Sequence, residues 1–184
     1  VPRYVFKHIQ EFFPNDLKDL ERKLKANQFR GGTAAVIIEP VGPESGTRPL
    51  DFNFNKGVEA LCRKYGALLI FDEVVTAFRI GMSGAQGYFD VSPDLTVFGK
   101  VVAGGYPGAG GIGGKKEYMK YLSAGIAGGG KHKKALVGGT MAANPVSCVA
   151  GYYMLDEMEK QNACEKAGLM GDRLTAGLKE LIKK

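Results

Sequence analysis

Apolar residues fall into two patterns along this chain, short unbroken runs and stripes at helical spacing, and the two alternate. Ala34-Ala35-Val36-Ile37-Ile38-Glu39 is an unbroken run rich in β-branched residues and ended by Pro40. That is the pattern of a strand buried on both faces. Ala67-Leu68-Leu69-Ile70-Phe71-Asp72 repeats it, and Leu95-Thr96-Val97-Phe98 predicts a third, shorter strand. The stripes lie around them. Leu17, Leu20 and Leu24 follow Pro14-Asn15-Asp16 at helical spacing, with acids in the first turn where the helix macrodipole favours them. Val58, Leu61, Cys62 and Tyr65 share one face of a helix over residues 56–65, with Gly66 placed as its C-terminal cap. Residues 42–49 read as a loop. Glycine dominates residues 103–114, a helix is expected over 115–122, and a second glycine-rich loop over 125–130. Asn144 is then a favoured N-cap and Pro145 a favoured first residue of a helix reaching about Lys160. Leu169, Met170, Leu174, Leu178 and Leu181 predict one more.

Strands alternating with helices imply an α/β fold with a mostly parallel sheet, in which ligands bind outside the carboxyl ends of the strands. Glu39, Asp72 and Lys100 lie at or just beyond such ends. Asp72 closes an apolar strand, so its carboxyl group is expected in a partly desolvated place where a cation is wanted; the alternative is an Asp that caps a turn. Lys100 sits between a short apolar strand and a glycine tract. A free lysine is mostly protonated at neutral pH, and desolvation or nearby positive charge makes it useful for Schiff-base chemistry. An interior lysine needs such a task; a surface lysine does not.

Composition narrows the classes. Hydrophobic residues at 45% and charged residues at 24% are those of a soluble globular protein, and no apolar run is long enough to cross a bilayer. The formal charge of +6 does not make a nucleic-acid surface, because most basic residues are interleaved with acids, as in Lys18-Asp19-Leu20-Glu21-Arg22-Lys23. Lys131-His132-Lys133-Lys134 follows a glycine run and reads as a loop. Cys62, Cys148 and Cys164 are odd in number and widely spaced, which gives neither a disulfide framework nor zinc spacing and suits a reducing, cytoplasmic setting. With only His8 and His132, no metal centre is expected. The opening Val1-Pro2-Arg3-Tyr4 has neither a signal peptide nor an initiator methionine, as expected of an internal piece of a longer chain.

Three runs in order, FDEVVTAFR from Phe71, SPDLTVFGKVVAGGYP from Ser92 and GGTMAANP from Gly138, resemble the class III aminotransferases that use pyridoxal 5'-phosphate (PLP), and most of all the glutamate-1-semialdehyde aminomutase branch. The resemblance covers the chain from about Asp16 through the Leu178 region. It implies PLP-dependent transferase fold type I, a central mostly parallel sheet with helices on both faces. Residues 1–160 would then be part of the PLP-binding large domain and residues 161–184 the truncated start of a C-terminal small domain. It further implies that Lys100 holds PLP as an internal aldimine and moves the proton between Cα and the cofactor, and that Asp72 pairs with the pyridinium nitrogen. A carboxylate there keeps the ring an electron sink. Val74 would pack on one ring face. Gly139 and Thr140 would bind the cofactor phosphate, usually that of the neighbouring subunit in a homodimer. Glu39 matches a position near the active site without a definite role. Substrates implied are an amino acid and keto acid, or an amino-aldehyde.

Ala77, where many relatives have glycine, and the glycine spacing after Lys100 depart from the family pattern and bear on substrate choice. The family's upstream phosphate loop, its ring-stacking aromatic and its substrate-carboxylate arginine have no counterpart here, so the chain alone is expected to be inactive. Two alternatives stand beside an enzyme that moves an amino group: a non-catalytic phosphate or nucleotide binder using the glycine tracts, and a pseudoenzyme subunit. Against the first, no G-x-x-x-x-G-K-[ST] segment occurs.

Overall fold

The computed structural model describes residues 3–122, 135 and 139–183. The basic cluster at 131–134, the glycine-rich loop expected at 125–130 and Gly138 lie outside the described residues. In chain order come a 3-10 turn Arg3–His8, helix α1 Leu17–Asn27, strand β1 Ala35–Ile38, one-turn helix α2 Pro43–Gly46, helix α3 Phe54–Tyr65 and strand β2 Leu68–Glu73. There follow α4 Gly84–Phe89, β3 Leu95–Gly99, a 3-10 turn Lys100–Ala103, β4 Gly110–Gly114, α5 Lys116–Met119, α6 Pro145–Lys160 and α7 Ala163–Ile182.

The caps fall where the side chains allow them. Asp16 accepts the Asp19 amide at 2.8 Å to start α1, and Asn144 accepts the Ser147 amide at 3.0 Å to start α6. The Gly66 amide closes α3 on the Cys62 carbonyl. Three expectations need correction. Residues 42–49 hold the one-turn helix α2, because Pro43 occupies its first position and the Gly46 amide reaches the Gly42 carbonyl at 2.9 Å. The helix expected over 115–122 is regular only across α5. Within the glycine tract lies a strand, β4, which apolar patterning misses because Ile112 is its one large residue.

The sheet runs β1-β2-β3-β4, with the first three parallel and β4 antiparallel to β3. β4 exists because its glycines have no side chains. A Cβ placed on Gly111 would lie 2.6 Å from the Phe98 ring of β3, so only glycine lets this strand close over it. On one sheet face Val36, Ile38, Leu69 and Phe71 pack with Leu20 and Leu24 of α1 and Phe54, Val58 and Cys62 of α3. Each such side chain contributes roughly 1.5–3 kcal/mol by leaving water. The opposite face carries Ile37, Ile70, Asp72, Val97 and Ile112 by strand alternation and register. Ile37 is 57% exposed and Ile112 45%. Among the described residues the helices cover the first face, and the second helical layer expected from the family resemblance is not supplied.

Asp94 fastens this layer together. It is 1% exposed at the entrance to β3, where its carboxylate accepts from Arg63 Nη1 at 2.8 Å, Lys115 Nζ at 2.7 Å and the Leu69 amide at 2.8 Å. Burial raises its pKa, but Lys115, the Leu69 amide and Arg63 together outweigh that and hold it below its ordinary 3.8. One carboxylate thus joins α3, β2, β3 and the residue after β4.

A depressed folded pKa means that this stabilisation is present above pH ~4 and fades as pH falls through the lower, folded value. Asp94→Asn is expected to cost about 3 kcal/mol at neutral pH, with the difference from wild type narrowing below pH 4; urea unfolding across pH measures both. Burial in α3 pushes the Cys62 thiol up to about 11. Native protein treated with iodoacetamide at pH 8 should therefore leave Cys62 unmodified, and unfolded protein should not, as peptide mass mapping would report.

Candidate functional site

Strand alternation divides the expected site residues before any ligand is considered. Asp72 and Glu73 are neighbours on β2, so they point to opposite faces. Asp72 lies on the open face, half-buried, and its Oδ1 accepts the Val74 amide at 3.1 Å. No cation pairs with it among the described residues, so the cationic partner expected from the sequence is not found among them. β1 pairs with β2 through Ile38 and Phe71, which puts Glu39, the next residue, level with Asp72 on the same face. Asn55 of α3 fixes this end of β1 by donating to the Pro40 carbonyl at 2.7 Å. Glu39 Oε1 accepts the Glu44 amide at 3.2 Å. Both acids line a cleft of about 350 Å³ with Ile9, Phe12, Ile37 and Leu50.

Lys100 is the first residue beyond β3. Its backbone has φ +51°, in the left-handed region that a lysine rarely enters. Such a conformation costs about 1–3 kcal/mol and persists where the surroundings impose it. Its side chain is exposed, which corrects the expectation of an interior lysine. Register sets Val97 opposite Asp72, so Lys100 leaves the sheet three residues beyond the level of Asp72. Val74 comes close to the same point: a Cβ on Gly99 would lie 3.9 Å from its Cγ1.

The turn holding Gly139 and Thr140 is exposed and is closed by the Ala142 amide donating to the Gly139 carbonyl at 2.9 Å. It rests on the segment after Lys100. Ser147 Oγ donates to the Pro107 carbonyl at 2.7 Å, and a Cβ on Gly108 would lie 3.2 Å from Met141 Cβ. Gly151 of α6 sits against Val102 in the same way. The structure therefore brings Lys100, Val74 and Asp72 to one end of the sheet and docks the Thr140 turn against the glycine segment that leaves it. Thr140, Val74 and Lys100 do not line the cleft that holds Glu39 and Asp72.

A larger hollow of about 570 Å³ lies on the other face, lined by Glu73, Phe78, Phe98 and Lys115 among others, and holds none of the expected site residues. Sequence reasoning assigned no part to Glu73, Asp94 or Lys115, although the first two stand inside the motifs it used. The available signal was a polar residue at a core-facing position of a strand end.

Comparison with known proteins agrees with this frame. Residues 7–184 match the family described as aminotransferase class-III. Glutamate-1-semialdehyde 2,1-aminomutase 1 of Staphylococcus epidermidis is 42% identical over all 184 residues, which span 40% of that protein. Glutamate-1-semialdehyde 2,1-aminomutase 2 of Brevibacillus brevis is 41% identical over 170 residues, 92% of this chain and 37% of its own length. Among solved structures, an omega-transaminase from Sphaerobacter thermophilus superimposes with a TM-score of 0.74 at 35% identity, covering 85% of this chain and 34% of that one. A Bacillus anthracis aminotransferase gives a TM-score of 0.80 at 26% identity over 99% of this chain and 40% of its own.

Sheet, helices and strand-end site together define a PLP-dependent transferase fold. The chain belongs to the class III aminotransferases, and spans about two fifths of the curated relatives it matches. The family's cofactor is PLP, and the residues present fit it. An amine stands clear of the sheet end, Gly99 just before it adds no side chain, the aliphatic Val74 borders it, and the Asp72 carboxyl group lies on the adjacent strand. Among the described residues no helix is long and apolar enough to cross a membrane.

The backbone at Lys100 yields a stability test independent of cofactor. Glycine adopts φ > 0 freely, whereas alanine does not. In apo-protein, Lys100→Gly is expected to be about 1 kcal/mol more stable than Lys100→Ala, the reverse of the order in a regular helix or strand. Urea titration of the two variants decides it.

Proposed function

We propose that the intact protein is a PLP-dependent enzyme that moves an amino group, either between an amino acid and a keto acid or within one molecule as a glutamate-1-semialdehyde 2,1-aminomutase does. The observation that carries this reading is Lys100, exposed at the carboxyl end of β3 in a left-handed conformation, with Val74 beside Gly99 and Asp72 on the neighbouring strand. Bound PLP supplies an electron sink for the pair released when a substrate Cα–H bond breaks. Lys100 would hold the cofactor through its ε-amine and, once that amine is released, carry the proton to and from the substrate carbon. Asp72 would hold a proton on the pyridine nitrogen by charge-assisted hydrogen bonding. Val74 would fix the height of the ring by contact.

Gly139 and Thr140 would offer an amide and a hydroxyl to a phosphate. Their exposure, on a turn beside the exposed Val146, Val149, Tyr152 and Tyr153 of α6, supports a homodimer in which Thr140 meets the phosphate of the partner's cofactor. Residues 1–160 would form part of the large, cofactor-binding domain. Residues 161–184 would begin a second domain, since α7 leaves Leu169, Met170, Leu174, Leu178 and Leu181 exposed. A cytoplasmic, thiol-reducing setting suits the three unpaired cysteines.

Incubating the intact protein with PLP, reducing with borohydride and mapping peptides by mass spectrometry is expected to find a pyridoxyl group on Lys100, lost in Lys100→Ala. An unmodified Lys100 would sink the reading. Assay with paired amino donors and acceptors, against assay with an amino-aldehyde alone, separates transfer from internal migration.

A further inference from the structure

Glu73 is the most deeply buried acid of the described chain, at 0% exposure, and it enters no ion pair among the described residues. A carboxyl group in such a place is costly unless every lone pair is met. Here it is met by one short stretch of chain. Glu73 Oε2 accepts Thr76 Oγ1 at 3.1 Å and the Ala85 amide at 2.6 Å, and Oε1 accepts the Gln86 amide at 3.4 Å. Gly84 is shaped to the same group. Its φ is +63°, and a Cβ there would lie 2.5 Å from Oε2.

Glu73 and its donors Ala85 and Gln86 bracket residues 74–84. Thr76 lies within this segment, Ala85 and Gln86 lie just beyond its end, and Glu73 also accepts the Ala77 amide through its own carbonyl at 3.0 Å. Inside it stand Val74 and Phe78. Phe78 has φ +60° and meets Phe98 edge-on at 5.9 Å, and Phe98 is the register partner of Glu73, two residues before Lys100. Asp72 and Val74 are covalent neighbours of Glu73 on either side.

We infer that Glu73 is a positioning residue for the cofactor site: by pinning the 74–84 segment to the core face of the sheet, its carboxyl group sets where Asp72 and Val74 stand on the opposite face. This deepens the proposed function and rests on it. A strand transmits orientation between faces, because rotating the Glu73 peptide to relieve one side chain re-aims both neighbours. Apolar packing alone would hold the segment down without fixing its register, whereas three directional hydrogen bonds to one group fix it.

The test uses intact protein and three samples: wild type, Glu73→Gln and Thr76→Val. Gln keeps the shape but sets an NH₂ group against an amide N–H; Val removes one donor and leaves Glu73 in place. Fluorescence titration with PLP is expected to show the dissociation constant raised about tenfold in Glu73→Gln and about threefold in Thr76→Val. The visible absorption of the Lys100-bound cofactor should also shift its pH midpoint, because a displaced Asp72 holds the ring proton less well. A purely structural role would lower the unfolding midpoint and leave both readouts at wild-type values in the folded fraction. That result overturns the inference while leaving the proposed function intact. Failure of wild type itself to bind PLP overturns both. Should Glu73→Gln not fold, Thr76→Val decides by the same two readouts.

Discussion

The buried carboxylate of Asp94 is the constraint on which the rest of this structure depends. Parallel strands are joined by long crossovers and receive no register from a tight turn, so something else must fix how β2 and β3 slide past one another. Asp94 does this by accepting the Leu69 amide from its place just before β3. The same group holds Arg63 of α3 and Lys115 beyond β4, so helix layer, parallel pair and antiparallel edge share one reference point. Its charge is balanced by two cations and an amide, the condition under which a buried ion is tolerated. Everything carried by β3, including the residue that leaves its far end, is placed relative to this point.

Alternation along β2 then separates frame from site. Leu69, Phe71 and Glu73 face the helices, while Ile70 and Asp72 face the open side. Adjacent acids therefore meet opposite environments, one enclosed by amides and a hydroxyl, the other left half-exposed beside Glu39. The enclosed acid is held by two backbone amides and the Thr76 hydroxyl. The open acid is available because its sheet face lacks a helical layer within the described residues. Lys100 leaves from the same sheet end in a strained backbone conformation, which a firmly registered strand can impose and a loose one cannot.

Much of this was legible in the sequence, for physical reasons that differ by element. The three parallel strands declare themselves because their short apolar runs carry no polar alternation, even though one face is open among the described residues, and the helices because Leu20, Leu24, Val58 and Cys62 repeat at helical spacing. The caps at Asp16 and Asn144 are local chemistry and need no tertiary information. β4 was hidden because its strand character belongs to Phe98: only the ring across the ladder makes glycine the right residue at Gly111. Asp94 and Glu73 were hidden because their partners lie far off in sequence or in backbone amides, neither of which a motif displays. Lys100 stands just beyond β3, as its place after an apolar run indicates, while its exposure depends on layers that a strand-end pattern does not describe.

The exposure of Lys100 has a consequence for how reactivity is divided. A lysine useful in imine chemistry needs desolvation or neighbouring positive charge, and among the described residues Lys100 is exposed rather than desolvated. They provide position: a registered strand, a left-handed backbone, Gly99 just before the lysine and a carboxyl group on the next strand. Ile37 and Ile112 leave apolar surface on the open face, so the described residues build position and not desolvation. That position comes from the local fold: the register of β2 with β3 sets the level at which Lys100 leaves the sheet, and its left-handed backbone turns the chain out of the strand direction.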